Sequence, residues 1–165
     1  MRSTLIIILG ICFSFICKAQ VDTSLNYLNE SKLYVLDGIL TPKEAIKSEN
    51  ILIRQVVSRE DIYKMMSGVR PGLDSIIVIV TRQAAIKQYQ EKLSSFSEKY
   101  KNYLETWHNN DEDFTYSLNK NLWIGRSDEV IKILYNIPKE KIIRVDFNEK
   151  LSAFADNKRL MITTK

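Results

Sequence analysis

Cysteine is nearly absent from this 165-residue chain: Cys12 and Cys17 are the two it has, and both fall in the first nineteen residues. Beyond residue 19 there is therefore no disulfide, no thiolate nucleophile and no cysteine metal site. Histidine is reduced to His108, so a serine–histidine–acid triad would have to recruit that one imidazole. The Gly-x-Ser-x-Gly elbow of many hydrolases is missing as well. With only three prolines and five glycines, the composition is not that of a low-complexity or disordered chain. The formal charge of +4 comes without a polybasic tract, which removes the footprint of a nucleic-acid partner.

One long apolar run is present, at the N-terminus. Arg2, the apolar stretch over 5–16 and Cys17-Lys18-Ala19 together form the pattern of a cleavable secretory signal. The run is short of the roughly 20 residues that a membrane helix needs. Residues 1–19 are expected to be removed, leaving Gln20 as the first residue and no stable membrane span. That removal takes away Arg2 and Lys18, two positive charges, and leaves +2. The expected location is periplasmic or secreted.

The rest of the chain reads as an α+β protein. Leu33-Tyr34-Val35-Leu36 is a short strand that ends in Asp37-Gly38, a tight-turn signal. Thr41-Pro42-Lys43-Glu44 has the composition of a helix start, and 51–57 is a β-branched strand. Ser58 caps a helix over 59–66, and Ser75 to Thr81 is the strongest strand of the chain. From 83 to 108 the period changes. Ile86, Tyr89, Leu93, Phe96, Tyr100, Tyr103 and Trp107 recur at spacings of three and four, which predicts one long amphipathic helix. Tyr89, Leu93, Phe96 and Tyr100 are expected to be buried, with Lys87, Glu91, Glu98 and Lys101 in water.

The second half repeats this order. A hairpin around Asn119-Lys120-Asn121 precedes a helix opened by Ser127, a strand over 141–145, a short helix over 148–156 and a last strand over 159–164. Tyr34-Val35-Leu36-Asp37 matches Tyr116-Ser117-Leu118-Asn119. Ile53-Arg54-Gln55-Val56 matches Ile143-Arg144-Val145, and Ile79-Val80-Thr81-Arg82 matches Ile162-Thr163-Thr164-Lys165. The organisation expected is two β-α-β-α-β units, 25–82 and 113–165, joined by the helix 83–108. An internal duplication and two unrelated segments of similar strand composition both account for it.

These segments carry a resemblance. Leu33-Tyr34-Val35-Leu36-Asp37-Gly38, the strand near Ile53-Arg54-Gln55-Val56, a helix, and a strand ending in Thr81-Arg82 resemble the plug domain of TonB-dependent outer-membrane receptors of the Bacteroidetes type. Leu160-Met161-Ile162-Thr163-Thr164-Lys165 is similar to that family's last strand. The chain departs from the family where Met65-Met66-Ser67-Gly68 replaces a Tyr-Gly approach, and no barrel sequence accompanies the plug-like units. The resemblance thus implies a free-standing module that binds without transporting.

Chemistry is thin. His108 with Asp111, Glu112 and Asp113 has the donor types of a cation site, but a lone imidazole beside loop carboxylates reads first as a solvated cluster. Gly125-Arg126-Ser127 opens a helix where an anion could sit, and reads first as an ordinary N-cap. No metal and no cofactor is expected. The functional expectation is a non-catalytic cell-envelope binding or assembly module with an envelope protein as partner. Its expected interaction surface is the aromatic stripe Tyr89, Phe96, Tyr100, Tyr103 and Trp107. The competing reading is a small periplasmic hydrolase whose site is assembled from scattered polar residues.

Overall fold

A computed structural model describes residues 30–48, 50–65, 71–152 and 155–165. The expected signal over 1–19, the start at Gln20 and the first residues of the unit 25–82 lie outside them. The fold is α+β, with two four-stranded sheets in two compact units that divide between Ala84 and Ala85. Among the described residues no helix is long and apolar enough to cross a membrane.

The first unit contains β1 (Lys32–Leu36), β2 (Ile39–Leu40), β3 (Ile51–Ser58), α1 (Arg59–Met65) and β4 (Ser75–Thr81). Its sheet runs in the order β2-β1-β4-β3, with β1 parallel and β3 antiparallel to β4. Asp37 and Gly38 both have positive φ (51° and 87°), the conformation that a two-residue hairpin turn demands. The turn is held from behind. The Asp37 carboxylate accepts from the Thr81 N–H at 2.7 Å and from the Thr81 hydroxyl at 2.8 Å. Ser58 caps α1, its Oγ accepting from the Asp61 N–H at 3.3 Å. The helix expected after Thr41 is only a 3₁₀ turn, Lys43–Ala45. The Thr41 hydroxyl turns back and donates to the Ile39 carbonyl at 2.9 Å, so no side chain caps the new turn.

The second unit holds most of α2 (Arg82–Ser94), then α3 (Glu98–Thr106), β5 (Thr115–Leu118), β6 (Asn121–Ile124), α4 (Asp128–Asn136), β7 (Ile142–Ser152) and β8 (Ala155–Thr164). Its sheet runs β6-β5-β8-β7, with β5 parallel and β7 antiparallel to β8. This is the strand order of the first sheet. The correspondence extends to details. Asn119 and Lys120 repeat the positive-φ turn (47° and 80°), and Asn119 repeats the grip. Its Oδ1 accepts from the Thr164 N–H at 2.9 Å and its Nδ2 donates to the Thr164 hydroxyl at 2.7 Å. The irregularity between Ile51 and Ile53 returns between Ile142 and Arg144. Register pairs Ile53 with Val80 and Arg144 with Thr163, so Arg144 corresponds to Ile53 and the match drawn from sequence at that strand is one residue off.

Two further expectations fail. The described residues of 148–156 form no helix: β7 continues through Ser152 and β8 begins at Ala155, with Asn148 opposite Arg159 and Glu149 opposite Lys158. A carboxylate and an ammonium directly across an antiparallel ladder favour pairing over weak local helix preference. The single helix over 83–108 is two helices. The break falls at Ser95, Phe96 and Ser97, where the Ser94 and Ser95 hydroxyls donate to the carbonyls of Glu91 and Lys92. Serine hydroxyls compete with the helical ladder, and Ser97 then caps α3 by accepting from the Tyr100 N–H.

Candidate functional site

The chemistry of the second unit centres on the loop that follows α3. Trp107 is the C-cap residue of α3, and His108 and Asn109 leave the helix with positive φ (50° and 60°). The Asn109 N–H reaches back to the Leu104 carbonyl at 2.8 Å, and Gln90 donates to the Asn109 carbonyl at 2.9 Å, which fixes the loop against α2. The chain then drives Asp111 inward, where it has no solvent exposure.

Asp111 is surrounded by donors. The Tyr89 hydroxyl lies 3.0 Å from both carboxylate oxygens, the Tyr100 hydroxyl donates to Oδ2 at 2.6 Å, and Arg126 Nη1 donates to Oδ1 at 2.6 Å. The Tyr116 hydroxyl donates to the Asp111 main-chain carbonyl at 2.6 Å. One residue thereby ties together α2, α3, β5 and the loop after β6. Burial, and secondarily the Asp111 charge, pushes the phenols of Tyr89, Tyr100 and Tyr116 far above their ordinary range. Burial works against the Arg126 charge, but the Asp111 carboxylate and Tyr89 together outweigh it and raise the guanidinium pKa. Tyr89, Tyr100, Asp111 and Tyr116 are sealed, so the cluster is scaffolding rather than a place where a molecule could react.

A second half-buried cation anchors α4. Lys92 Nζ donates to the carbonyls of Leu134, Tyr135 and Ile137 at 2.9, 2.7 and 2.7 Å, placing all three of its donors at the negative end of that helix. Burial lowers its pKa to about 8.

What the scaffold presents is an open cleft of about 560 Å³ between α3 and β7. Tyr103 and Trp107 stack at 6.2 Å in one wall, and Phe147 from β7 packs 5.1 Å from Tyr103. Lys158 Nζ sits over both aromatic faces, 4.9 Å from the Tyr103 ring centre and 5.3 Å from that of Trp107, and donates to the Tyr103 hydroxyl at 2.9 Å. Trp107 remains 55 % exposed, and Lys99, Asn102 and Thr106 line the cleft along the helix.

The five residues of the expected surface are thus divided. Tyr89 and Tyr100 are fully buried in the Asp111 cluster and offer no surface, Phe96 is half-buried at the helix break, and Tyr103 and Trp107 meet at the cleft. Leu93 is buried, while Lys87, Glu91, Glu98 and Lys101 are in water. The His108–Asp113 loop does not converge on a cation. His108 is exposed, Asp111 faces the tyrosines, and among the described residues no group of three or more metal-ligand side chains comes together. Arg126 faces the same carboxylate rather than an anion site at the start of α4. The sequence places Asp111 in a solvated polar run, whereas the structure buries it completely. The signal was the choice of tyrosine, not phenylalanine, at 89, 100 and 116, since buried phenols require partners.

Comparisons with protein-family models, with curated proteins and with solved structures found no match to this chain.

Proposed function

We propose that the protein is a non-catalytic, exported binding or assembly module of the cell envelope, resembling a receptor plug domain and acting on an envelope protein through the cleft at Trp107. The observation that carries the reading is the exposed indole of Trp107, stacked on Tyr103 and lining an open cleft. Large aromatic side chains held rigidly at a surface are the anchors on which protein recognition concentrates. Export rests on the pattern of residues 1–19. The plug-like reading is supported by β1, the Asp37-Gly38 turn, β3, α1 and β4 following one another in the order that the resemblance implies.

The test is a photo-reactive benzophenone residue in place of Trp107, expressed in the native host. A discrete cross-link to an envelope protein is expected, with none from the same group at Tyr63, an exposed aromatic of the first unit. Equal or absent labelling at both positions defeats the proposal. Intact mass of the native protein checks export, and a retained Met1 counts against it.

A further inference from the structure

Trp107 stands where a helix stops. It is the C-cap residue of α3, the two residues after it leave with positive φ, and more than half of the indole lies in solvent. A side chain so placed has room to turn, and one that must be stilled on binding gives up affinity. Two contacts restrain it. Tyr103, one helical turn earlier, stacks on the indole at 6.2 Å with the ring planes 27° apart. Tyr103 is itself buried, packed against Phe114 and Phe147 at 5.1 Å each. The second contact comes from β8. Lys158 holds its ammonium over both rings, 4.9 Å from the centre of Tyr103 and 5.3 Å from that of Trp107, and donates to the Tyr103 hydroxyl at 2.9 Å. Lys158 is half-buried, and Glu149 stands directly opposite it on the β7–β8 ladder with the opposite charge. An ammonium tied to a fixed phenol and seated over an aromatic face attracts that ring and limits its rotation.

Building on the binding role above, we propose that Lys158 is the positioning residue of the Trp107 anchor. It joins the end of α3 to β8 through the indole and fixes the ring in the orientation that the partner meets. It acts on the partner through Trp107 and not by a contact of its own. The hold needs a cation on a long stem. Methionine at 158 keeps the apolar stem and loses the charge, whereas arginine, planar and permanently charged, keeps the cation over the rings.

Two readouts test this, one without the partner and one with it. Trp123→Phe leaves Trp107 as the only indole, so the decay of tryptophan fluorescence anisotropy reports that ring alone. Read well below the melting transition, the indole should turn with the whole molecule. Lys158→Met should add a fast component on the picosecond-to-nanosecond scale of free side chains, and Lys158→Arg should not. The partner is the envelope protein that a benzophenone at position 107 captures. Its co-purification from the native host should fall about threefold to tenfold in Lys158→Met and return in Lys158→Arg, with melting temperatures within about 2 °C of wild type. An indole as rigid in Lys158→Met as in wild type overturns the proposal, and lost co-purification beside it would make Lys158 a direct contact. Full co-purification beside a loosened indole overturns it equally. In each of these cases, loss of the partner from Trp107→Ala leaves the binding role standing. If no envelope protein is captured at 107, the binding role itself fails and the positioning role falls with it.

Discussion

At the turn after β1, Asp37 holds Thr81 with a carboxylate; at the turn after β5, Asn119 holds Thr164 with an amide. Around these paired grips the sheets share one strand order, yet they are covered differently. Ile77, Val78, Ile79 and Val80 of β4 are all buried, so both faces of that strand are dry. On β8, buried Leu160 and Ile162 alternate with exposed Arg159 and Thr163, so one face is wet. A strand dry on both faces reads as a continuous apolar run, and a half-wetted one alternates. Helices differ too: α1 follows the third strand of the first unit, whereas α4 precedes the third strand of the second. The comparison teaches that strand order and turn chemistry are separable from the means of cohesion. The first unit draws on aliphatic burial, and the second adds a buried polar cluster that also positions its cleft.

The sharpest way to break the comparison is Asp111→Ala. It leaves the Arg126 guanidinium without its carboxylate and deprives Tyr89 and Tyr100 of their acceptor. A loss of about 3–5 kcal/mol is expected, measured by denaturant unfolding, with the first unit's amide signals the last to disappear. A loss under about 1 kcal/mol would mean that the cluster is incidental.

High pH gives the next effect, and its sign changes along the way. Lys92 titrates near 8 in the fold and near 10.5 unfolded, so the unfolded chain holds more protons between those values and stability rises with pH. The phenols of Tyr89, Tyr100 and Tyr116 are raised in the fold, so above about pH 10 the unfolded chain releases protons that the fold retains. Stability then falls, approaching about 4 kcal/mol per pH unit for three groups. Phenolate absorbance should report these tyrosines only as the chain unfolds.

The two grips should rank by charge. Asp37→Ala removes charge-assisted bonds from a part-buried site and should cost about 1.5–3 kcal/mol, whereas Asn119→Ala removes neutral, exposed ones and should cost about 1 kcal/mol. Smaller still, Lys120→Gly should stabilise by about 1 kcal/mol or less, because a non-glycine residue there carries a φ of 80° that Gly38 carries freely. Thermal melts of the three variants settle the order.

Much of this fold was legible where the determinants are local. The Asp37-Gly38 turn, the Ser58 and Ser127 caps and the β-branched runs of β3 and β4 each depend on residues within a few positions. What escaped depends on partners far along the chain. Residues 148–152 extend β7 along a ladder against β8, which no local helix preference reports. The apolar stripe from Ile86 to Trp107 was periodic throughout, but its periodicity concealed serine back-bonding at the break. Within that stripe, burial of Tyr100 and exposure of Trp107 are decided by where Asp111 and Phe147 lie, and spacing alone does not distinguish them.

The account rests most heavily on Trp107 as a recognition residue rather than a structural one. The direct measurement is whether envelope proteins co-purify with the protein expressed in its native host, wild type beside Trp107→Ala, with Val56→Ala as the exposed control from the first unit. The expected result is a melting temperature within about 2 °C for all three, with partners retained by wild type and Val56→Ala and lost from Trp107→Ala. Partners retained in full by Trp107→Ala, at unchanged melting temperature, would contradict it.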